Sequence, residues 1–395
     1  MKFGLFYEHQ LPRPWAPDSE HRLLQESLAQ IELADRLGYD YAWAVEHHFL
    51  EEYSHSSAPE VFLGAASQRT QRIRLGHGIV QLTTNHPARV AERIATLDLL
   101  SNGRVEFGIG EGSSVTELHP FDRRYRDKRA IWEDAVRCLL PMLWETHWEY
   151  DGEHFKFPAR NVVPKPLQKP HPPLWVACSQ METIRMAGRR GMGALAFQFL
   201  NADSAQAWVH AYYNAYTKTL ERLTSYATNP NLAIVAGFMC APTDEEAERL
   251  ADGWTFFQFC LAFYGKHGPI APGSLSLWDE YEAWRASGEG KSTGVSLIGS
   301  PATLRRRLAE LEVSHIDQVI LLNQAGKTSH RAICDSLELF AREVMPEFQA
   351  RDGEHQAWKR QVLEGRLELA EIDTTPYGQR AIADPGQKTQ TLLQR

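Results

Sequence analysis

Hydrophobic residues in this chain come in short runs of strand length. Each run is followed by a longer stretch whose apolar residues recur at helical spacing. Lys2–Tyr7 (KFGLFY) is the first run. Residues 21–37 follow it, with Leu23, Leu24, Leu28, Ile31 and Leu37 near one helical face and Gly38 as a stop. Residues 39–45 with Pro59–Arg69 make a second strand–helix pair. Residues 73–80 make a third with the helix that Pro87 opens and Gly103 ends, and residues 104–109 with 126–144 make a fourth. Residues 146–173 break the rhythm: Pro158, Pro164, Pro166, Pro170, Pro172 and Pro173 predict an irregular excursion or hairpin. The pattern resumes with 174–177 and 180–190, then 193–199 and 203–225. Leu232–Cys240 precedes a helix that Thr243 caps, with Glu246 three residues on as in a capping box, and 316–322 precedes 329–344.

Eight consecutive strand–helix units imply parallel strands joined by helical crossovers, and eight in one chain predict a closed (β/α)8 TIM barrel. The expected architecture is a barrel over 1–348, with insertions after strands 4 and 7, and a polar C-terminal extension over 349–395 with a helix near 357–370. The later insertion, residues 261–300, holds Gly265, Gly268, Gly273, Gly288, Gly290, Gly294 and Gly299 around Trp278, Tyr281 and Trp284. A long glycine-rich connection at the active-site face predicts a mobile lid; the alternative is a disordered surface insertion.

Composition narrows the function. Hydrophobic residues make up 43%, enough for a sizeable core, and the net charge of −8 leaves no cationic excess for a nucleic-acid partner. Cys138, Cys178, Cys240, Cys260 and Cys334 are scattered, with no CxxC pair, and read as free thiols in a reducing compartment. The opening residues lack a signal-peptide pattern, and no run approaches the roughly 20 apolar residues of a membrane span. A soluble, cytoplasmic protein is expected.

Three segments carry candidate chemistry. Glu46-His47-His48 closes the second strand, where a barrel places reactive groups. Neighbours on an extended chain point opposite ways, so one histidine faces the mouth. No metal-ligand spacing accompanies them, and no metal site is expected. Gly108-Ile109-Gly110-Glu111-Gly112-Ser113-Ser114 starts like a dinucleotide fingerprint, but Ser113 stands where its last glycine belongs. An anion-binding nest and an ordinary tight turn remain open there. Ser179, with Gln180 and Thr183, starts a helix after the fifth strand: either a plain N-cap or a phosphate site at free N–H groups. Cys178 reads as a buried small hydrophobe rather than a nucleophile.

Taken together, MKFGLF, VEHHFLEE at 45–52, IVQLTTNHPARVAE at 79–92, LDLLSNGRVEFGIGEG at 97–112 and SLELFAREVMPEF at 336–348 resemble the bacterial-luciferase-like flavin-dependent monooxygenases. The resemblance implies a TIM barrel, reduced FMN delivered by a separate flavin reductase, O2, a small organic substrate and a dimer. It implies that His47 is the catalytic histidine, supported by Glu46. It puts His77 and Gly78 where the family packs backbone against the flavin ring, often through an unusual peptide bond, and Ser179 and Thr183 at the flavin phosphate. Gly110 stands in place of a reactive cysteine of the luciferase subunit, and Glu111 in place of a phosphate-holding arginine. Light emission on a long-chain aldehyde is therefore not implied. The phosphate is left to groups such as Ser113, Ser179 and Thr183, or to a base elsewhere.

By resemblance, reduced flavin and O2 form a C4a-(hydro)peroxide that oxygenates the substrate, and His47 controls one proton. Phe197, Phe199, Trp254, Phe256 and Phe257 are candidate pocket walls, with core packing as the plainer reading. A deazaflavin- or NAD(P)H-linked oxidoreductase on the same barrel is the alternative, and a non-catalytic flavin-binding subunit a third. A homodimer is expected through the helices after the second and third strands, where Val61, Phe62 and Leu63 form an apolar run.

Overall fold

A computed structural model describes residues 1–197, 202–218, 220–287 and 296–377. The chain opens with β1 (Lys2–Tyr7), α1 (Ser19–Leu37), β2 (Tyr41–Ala44), α2 (Pro59–Arg69), β3 (Arg74–His77), a two-residue β4 (Val80–Gln81) and α3 (Pro87–Leu100). Next come β5 (Val105–Gly110), a single turn α4 (Val115–Leu118) and α5 (Lys128–Leu139). A hairpin of β6 (Trp148–Asp151) and β7 (Lys156–Arg160) precedes β8 (Leu174–Cys178), α6 (Met181–Arg190), β9 (Gly193–Ala196) and α7 (Ala202–Thr217). Then follow β10 (Leu232–Cys240), α8 (Asp244–Leu250), α9 (Phe256–His267), α10 (Leu277–Ala286), β11 (Ser296–Gly299), α11 (Pro301–Glu312) and β12 (Gln318–Leu322). The end is helical: α12 (His330–Glu343), α13 (Met345–Ala350) and α14 (Asp352–Leu363).

Eight strands close a parallel ring in the order β1, β2, β3, β5, β8, β9, β10, β12 and back to β1. The expected closed barrel is what forms. β4 pairs in parallel with the last residues of β5, and β11 runs parallel beside β10 outside the ring.

Strand alternation divides the core in two. Phe3, Leu5, Leu75, Phe107, Val176, Ile234 and Leu321 face the helices and join one large cluster. Phe6, Trp43, Trp175, Leu195, Val235 and Ile320 fill the lumen. Trp43 and Trp175 meet edge to face at 5.4 Å. Gly76 makes room for them, because a Cβ there would stand 2.2 Å from Trp43 Cε3. Burial on both faces is why these strands read as apolar runs rather than as alternating ones.

The expected glycine-rich lid is largely helical. In α9 and α10, Phe256, Phe259, Trp278 and Tyr281 bury against one another, with Phe256 and Trp278 at 5.2 Å and Phe259 and Tyr281 at 5.5 Å. The buried carboxylate of Glu52 accepts from the N–H groups of Leu277 (2.7 Å) and Trp278 (3.2 Å), tying α10 to the loop after β2. Aromatic burial and this anchor override the glycine signal. Residues 288–295 of that stretch lie outside the described residues.

The segment after 349 is tied to the N-terminal end of β12. Lys359 Nζ and His355 Nε2 on α14 both lie 2.8 Å from Asp317 Oδ1, and Tyr213 donates to Asp317 Oδ2 at 2.7 Å. Its helix spans Asp352–Leu363, earlier than the expected 357–370. Among the described residues no helix is long and apolar enough to cross a membrane.

Candidate active site

The end of β1 and the α4 turn beyond β5 bring two acidic residues to a histidine just past β2. His47 follows β2 with its Nδ1 2.8 Å from Glu117 Oε1 and its Nε2 3.1 Å from Glu8 Oε1. The first contact is an aligned hydrogen bond. The second has ion-pair distance without alignment, and Glu8 Oε1 is otherwise buried without a hydrogen bond. Burial by itself would lower the pKa of His47. The Glu117 and Glu8 carboxylates reverse that and hold it well above the usual histidine range, so the ring is an imidazolium at neutral pH.

Glu117 is the hub. Besides His47, its Oε1 accepts from Gln81 Nε2 at 2.8 Å and His48 N–H at 3.2 Å. Its Oε2 accepts from the hydroxyls of Ser113 (3.1 Å) and Ser114 (3.0 Å). Burial pushes its pKa up, but His47 and these donors outweigh burial and leave it below the usual range. Glu8, with fewer donors, is driven above its usual range by burial, in part opposed by His47. Glu46 reaches the same network from beneath: Oε2 accepts from Gln81 N–H at 2.9 Å, and Oε1 from Asn85 Nδ2 at 2.8 Å with His48 Nε2 at 3.0 Å. The two histidines thus diverge, His47 toward Glu8 and Glu117, and His48 toward Glu46 and the ring of Phe121 at 5.1 Å.

Sequence reasoning missed Glu8, Glu117 and Gln81. Glu8 directly follows an apolar strand, the criterion that singled out Glu46 and His47. Glu117 stands three residues after Ser114, whose hydroxyl caps α4 by accepting Glu117 N–H at 3.3 Å, the local signature of a helix start. Gln81 carried no local signal.

The other expected site residues divide. Gly78 lies at the mouth above the lumen aromatics, and a Cβ there would make ordinary contacts with Trp43 Cβ at 3.6 Å, Phe6 Cε2 at 3.8 Å and Ala44 O at 3.9 Å. Gly110 is needed for packing, since a Cβ would come within 2.7 Å of Ile79 Cδ1. The side chain of His77 points the other way. Strand alternation turns it into the layer under α2 and α3, and burial lowers its pKa to about 4. The expected unusual peptide bond at 77–78 is not found: the cis bonds among the described residues are Arg13–Pro14, Val163–Pro164 and Lys169–Pro170.

At α6 the N-cap is Gln180 rather than Ser179, because Thr183 Oγ1 takes the Gln180 N–H at 3.1 Å and donates to its carbonyl at 2.8 Å. Ser179 is exposed one residue before. Cys178 is buried and its thiol is pushed up to about 12, so it stays protonated. Of the candidate walls, Phe197 meets Phe6 at 5.6 Å, and Phe257 meets Tyr53 at 5.7 Å and Phe6 at 6.3 Å, while Phe256 sits in the α9–α10 cluster. Phe199 lies outside the described residues.

A family model for luciferase-like monooxygenases matches residues 1–318. The chain belongs to that family. The flavin-dependent trigonelline monooxygenase, oxygenase component, of Acinetobacter baylyi is 26% identical over 366 residues, covering 88% of this chain and 96% of the relative. The match to protein y4wF of Sinorhizobium fredii is 35% over 170 residues, 43% of this chain and 49% of that protein, so it spans only about half of that relative. Among solved structures, the oxygenating constituent of 3,6-diketocamphane monooxygenase from Pseudomonas putida, in complex with FMN, superposes with a TM-score of 0.70 at 19% identity, over 88% of this chain and 98% of the other. At that identity the likeness speaks for the fold.

Proposed function

We propose that this chain is the oxygenase component of a two-component monooxygenase, taking reduced FMN from a flavin reductase and using O2 to oxygenate a small organic substrate. The observation that carries the reading is His47, held as a cation between two buried carboxylates at the mouth of a luciferase-like barrel. The mouth suits a flat ring: Phe6, Phe197 and Phe257 cluster there, and Gly78 adds no side chain over them. Bound reduced flavin supplies the electrons for oxygen activation.

The chain's own residues do the rest. His47 donates rather than accepts a proton, because its carboxylate neighbours keep it charged. Glu117 fixes its position through Nδ1, and Glu8 is the second counter-ion. Glu46 is a positioning residue, fixing Gln81, Asn85 and His48. The aromatic ceiling from α9 excludes water that would otherwise divert the reaction to hydrogen peroxide. The start of α6, after Ser179, is the part of the mouth we assign to the phosphate end of the cofactor, with Ser113 on the facing loop. We also propose a homodimer. Phe62 and Leu63 are core residues, so the face rests instead on Val61, Leu99 and Leu100, exposed on α2 and α3. Light scattering at micromolar concentration tests it.

The test of function is oxygen uptake with chemically reduced FMN, scored for hydrogen peroxide with and without substrate candidates. His47→Ala is expected to keep flavin binding and oxygen uptake while product falls roughly 10²–10⁴-fold and peroxide replaces it. No oxygen uptake with reduced FMN, alongside hydride transfer with a deazaflavin, would sink the oxygenase reading.

A further inference from the structure

The loop that carries His47 is fastened on two sides. On the barrel side, Ser54 donates to the Glu8 carbonyl at 2.7 Å. The N–H groups of Leu11 and His55 pair with the carbonyls of Glu52 and His9, both at 3.0 Å. On the other side stands the α9–α10 pair. Glu51 Oε1 accepts from Gly273 N–H at 3.0 Å, its carbonyl accepts from the Tyr264 hydroxyl at 3.1 Å, and its Oε2 pairs with Arg13 at 2.6 Å. The buried Glu52 carboxylate accepts from Arg13 N–H at 2.8 Å and from Leu277 N–H and Trp278 N–H, the first two of α10. The N-cap Ser276 serves Asp279 N–H at 3.2 Å, so those first two donors are left for Glu52. Glu52 holds them from a φ of +58°, a left-handed backbone that a non-glycine residue keeps only where its surroundings fix it.

Tyr53, the next residue, turns the other way, into the site. Its ring lies 5.4 Å from the His47 ring and 5.7 Å from that of Phe257 on α9. Its hydroxyl and the Glu8 carboxylate interact by hydrogen bonding. Two adjacent residues of one turn thus grip the start of α10 and a counter-ion of His47. The proton network described above does not use Glu52.

We propose that Glu52 is a positioning residue for His47: by holding the start of α10 it fixes Tyr53, and so makes the surroundings of His47 depend on the seating of the α9–α10 pair. This deepens the reading of His47 as proton donor and rests on it. With the helices seated, water is excluded and Tyr53 packs His47 against Glu8 in the same state. With them lifted, the Glu52 turn relaxes, Tyr53 leaves both partners, and water enters.

The experiment uses the full chain and approaches the contact from both ends. Leu277→Pro deletes one N–H that Glu52 accepts. Proline suits the first position of a helix, and Ser276 before it is extended, as a residue preceding proline must be. Leu277→Ala also shortens the side chain but keeps the N–H, so the difference between the two isolates the bond. Hydrogen exchange of the Trp278 amide is expected to quicken roughly 10–100-fold in Glu52→Gln, the worth of a hydrogen bond to a charged group, and likewise in Leu277→Pro relative to Leu277→Ala. In Glu52→Gln and Leu277→Pro the His47 ring signals in NMR should shift, because the Tyr53 ring current no longer acts on them; Leu277→Ala should stay near the wild-type positions. Hydrogen peroxide release with reduced FMN and O2, without substrate, should rise by a comparable factor. Faster exchange at Trp278 with unmoved His47 signals makes Glu52 a clamp on α10 alone and overturns the proposal. So does a Leu277→Pro variant that matches Leu277→Ala, which keeps the test open if Glu52→Gln does not fold, or peroxide release unchanged in both variants. A wild type that takes up no oxygen with reduced FMN overturns the flavin reading instead, and the exchange and ring signals still decide the coupling.

Discussion

Glu117→Gln is the perturbation that isolates the proton network from the fold. The change is isosteric and removes one negative charge from a fully buried carboxylate that receives five donors. His47 then keeps only Glu8, at 3.1 Å and unaligned. Losing the nearer of its two counter-charges brings the His47 pKa down, because burial is then opposed by one carboxylate instead of two. The expected loss of stability is a few kcal/mol, below the roughly 3–5 kcal/mol of a buried pair that loses its partner outright, because Glu8 remains.

The pH dependence carries a sign. The pKa of His47 is raised on folding, so its contribution is complete below its unfolded value of about 6.5 and is lost as pH rises through the folded value. That of Glu117 is depressed, so its contribution is present above its unfolded value of about 4.3 and is lost as pH falls through the folded one. The gap in melting temperature between wild type and Glu117→Gln should thus be widest between about pH 4.5 and 6.5 and narrow on either side. The assays are denaturation across pH and an NMR titration of the His47 ring. An unchanged His47 titration, with a melting gap flat from pH 5 to 9, would refute the reasoning. Glu8→Gln is the comparison and should move His47 less, because the Glu8 contact is longer and unaligned.

Asp317→Asn should destabilise the chain by about 3–5 kcal/mol in urea titration, because Lys359 is left buried without its counter-ion; a change within 0.5 kcal/mol would show that the α14 anchor is dispensable. The folded pKa of Asp317 is depressed, since Lys359 and His355 overcome burial, so this stabilisation is present above about pH 4 and fades only in stronger acid. Gly76→Ala should cost about 1–3 kcal/mol or more, since its methyl would collide with the Trp43 ring and no lumen space lies behind it; near-identical melting would mean that the indole shifts freely. Cys178 should resist thiol reagents in the native state at pH 8, its thiol being pushed up to about 12 by burial, and rapid labelling mapped to Cys178 by mass spectrometry would contradict that.

Periodicity alone determined the eight-strand alternation, because strands buried on both faces must be apolar throughout and the crossover helices must keep one apolar stripe. It also placed Thr243 as a cap, whose hydroxyl accepts Glu246 N–H at 3.2 Å, since caps are local chemistry. The EHH segment was legible for the same reason: polar residues at the end of an apolar strand have nowhere to go but the mouth. What joins His47 to Glu8 and Glu117 was not legible, because Glu8 at the end of β1 and Glu117 on α4 lie 39 and 70 residues from His47, and closure of the ring brings them together. The direction of His77 depended on its register in β3, which a one-residue shift would reverse. The glycines of 261–287 misled because composition does not register that Trp278 and Tyr281 find Phe256 and Phe259 to bury against. The charge on His47, likewise, is no property of a histidine in sequence. It is the sum of burial and two carboxylates, and tertiary packing sets both.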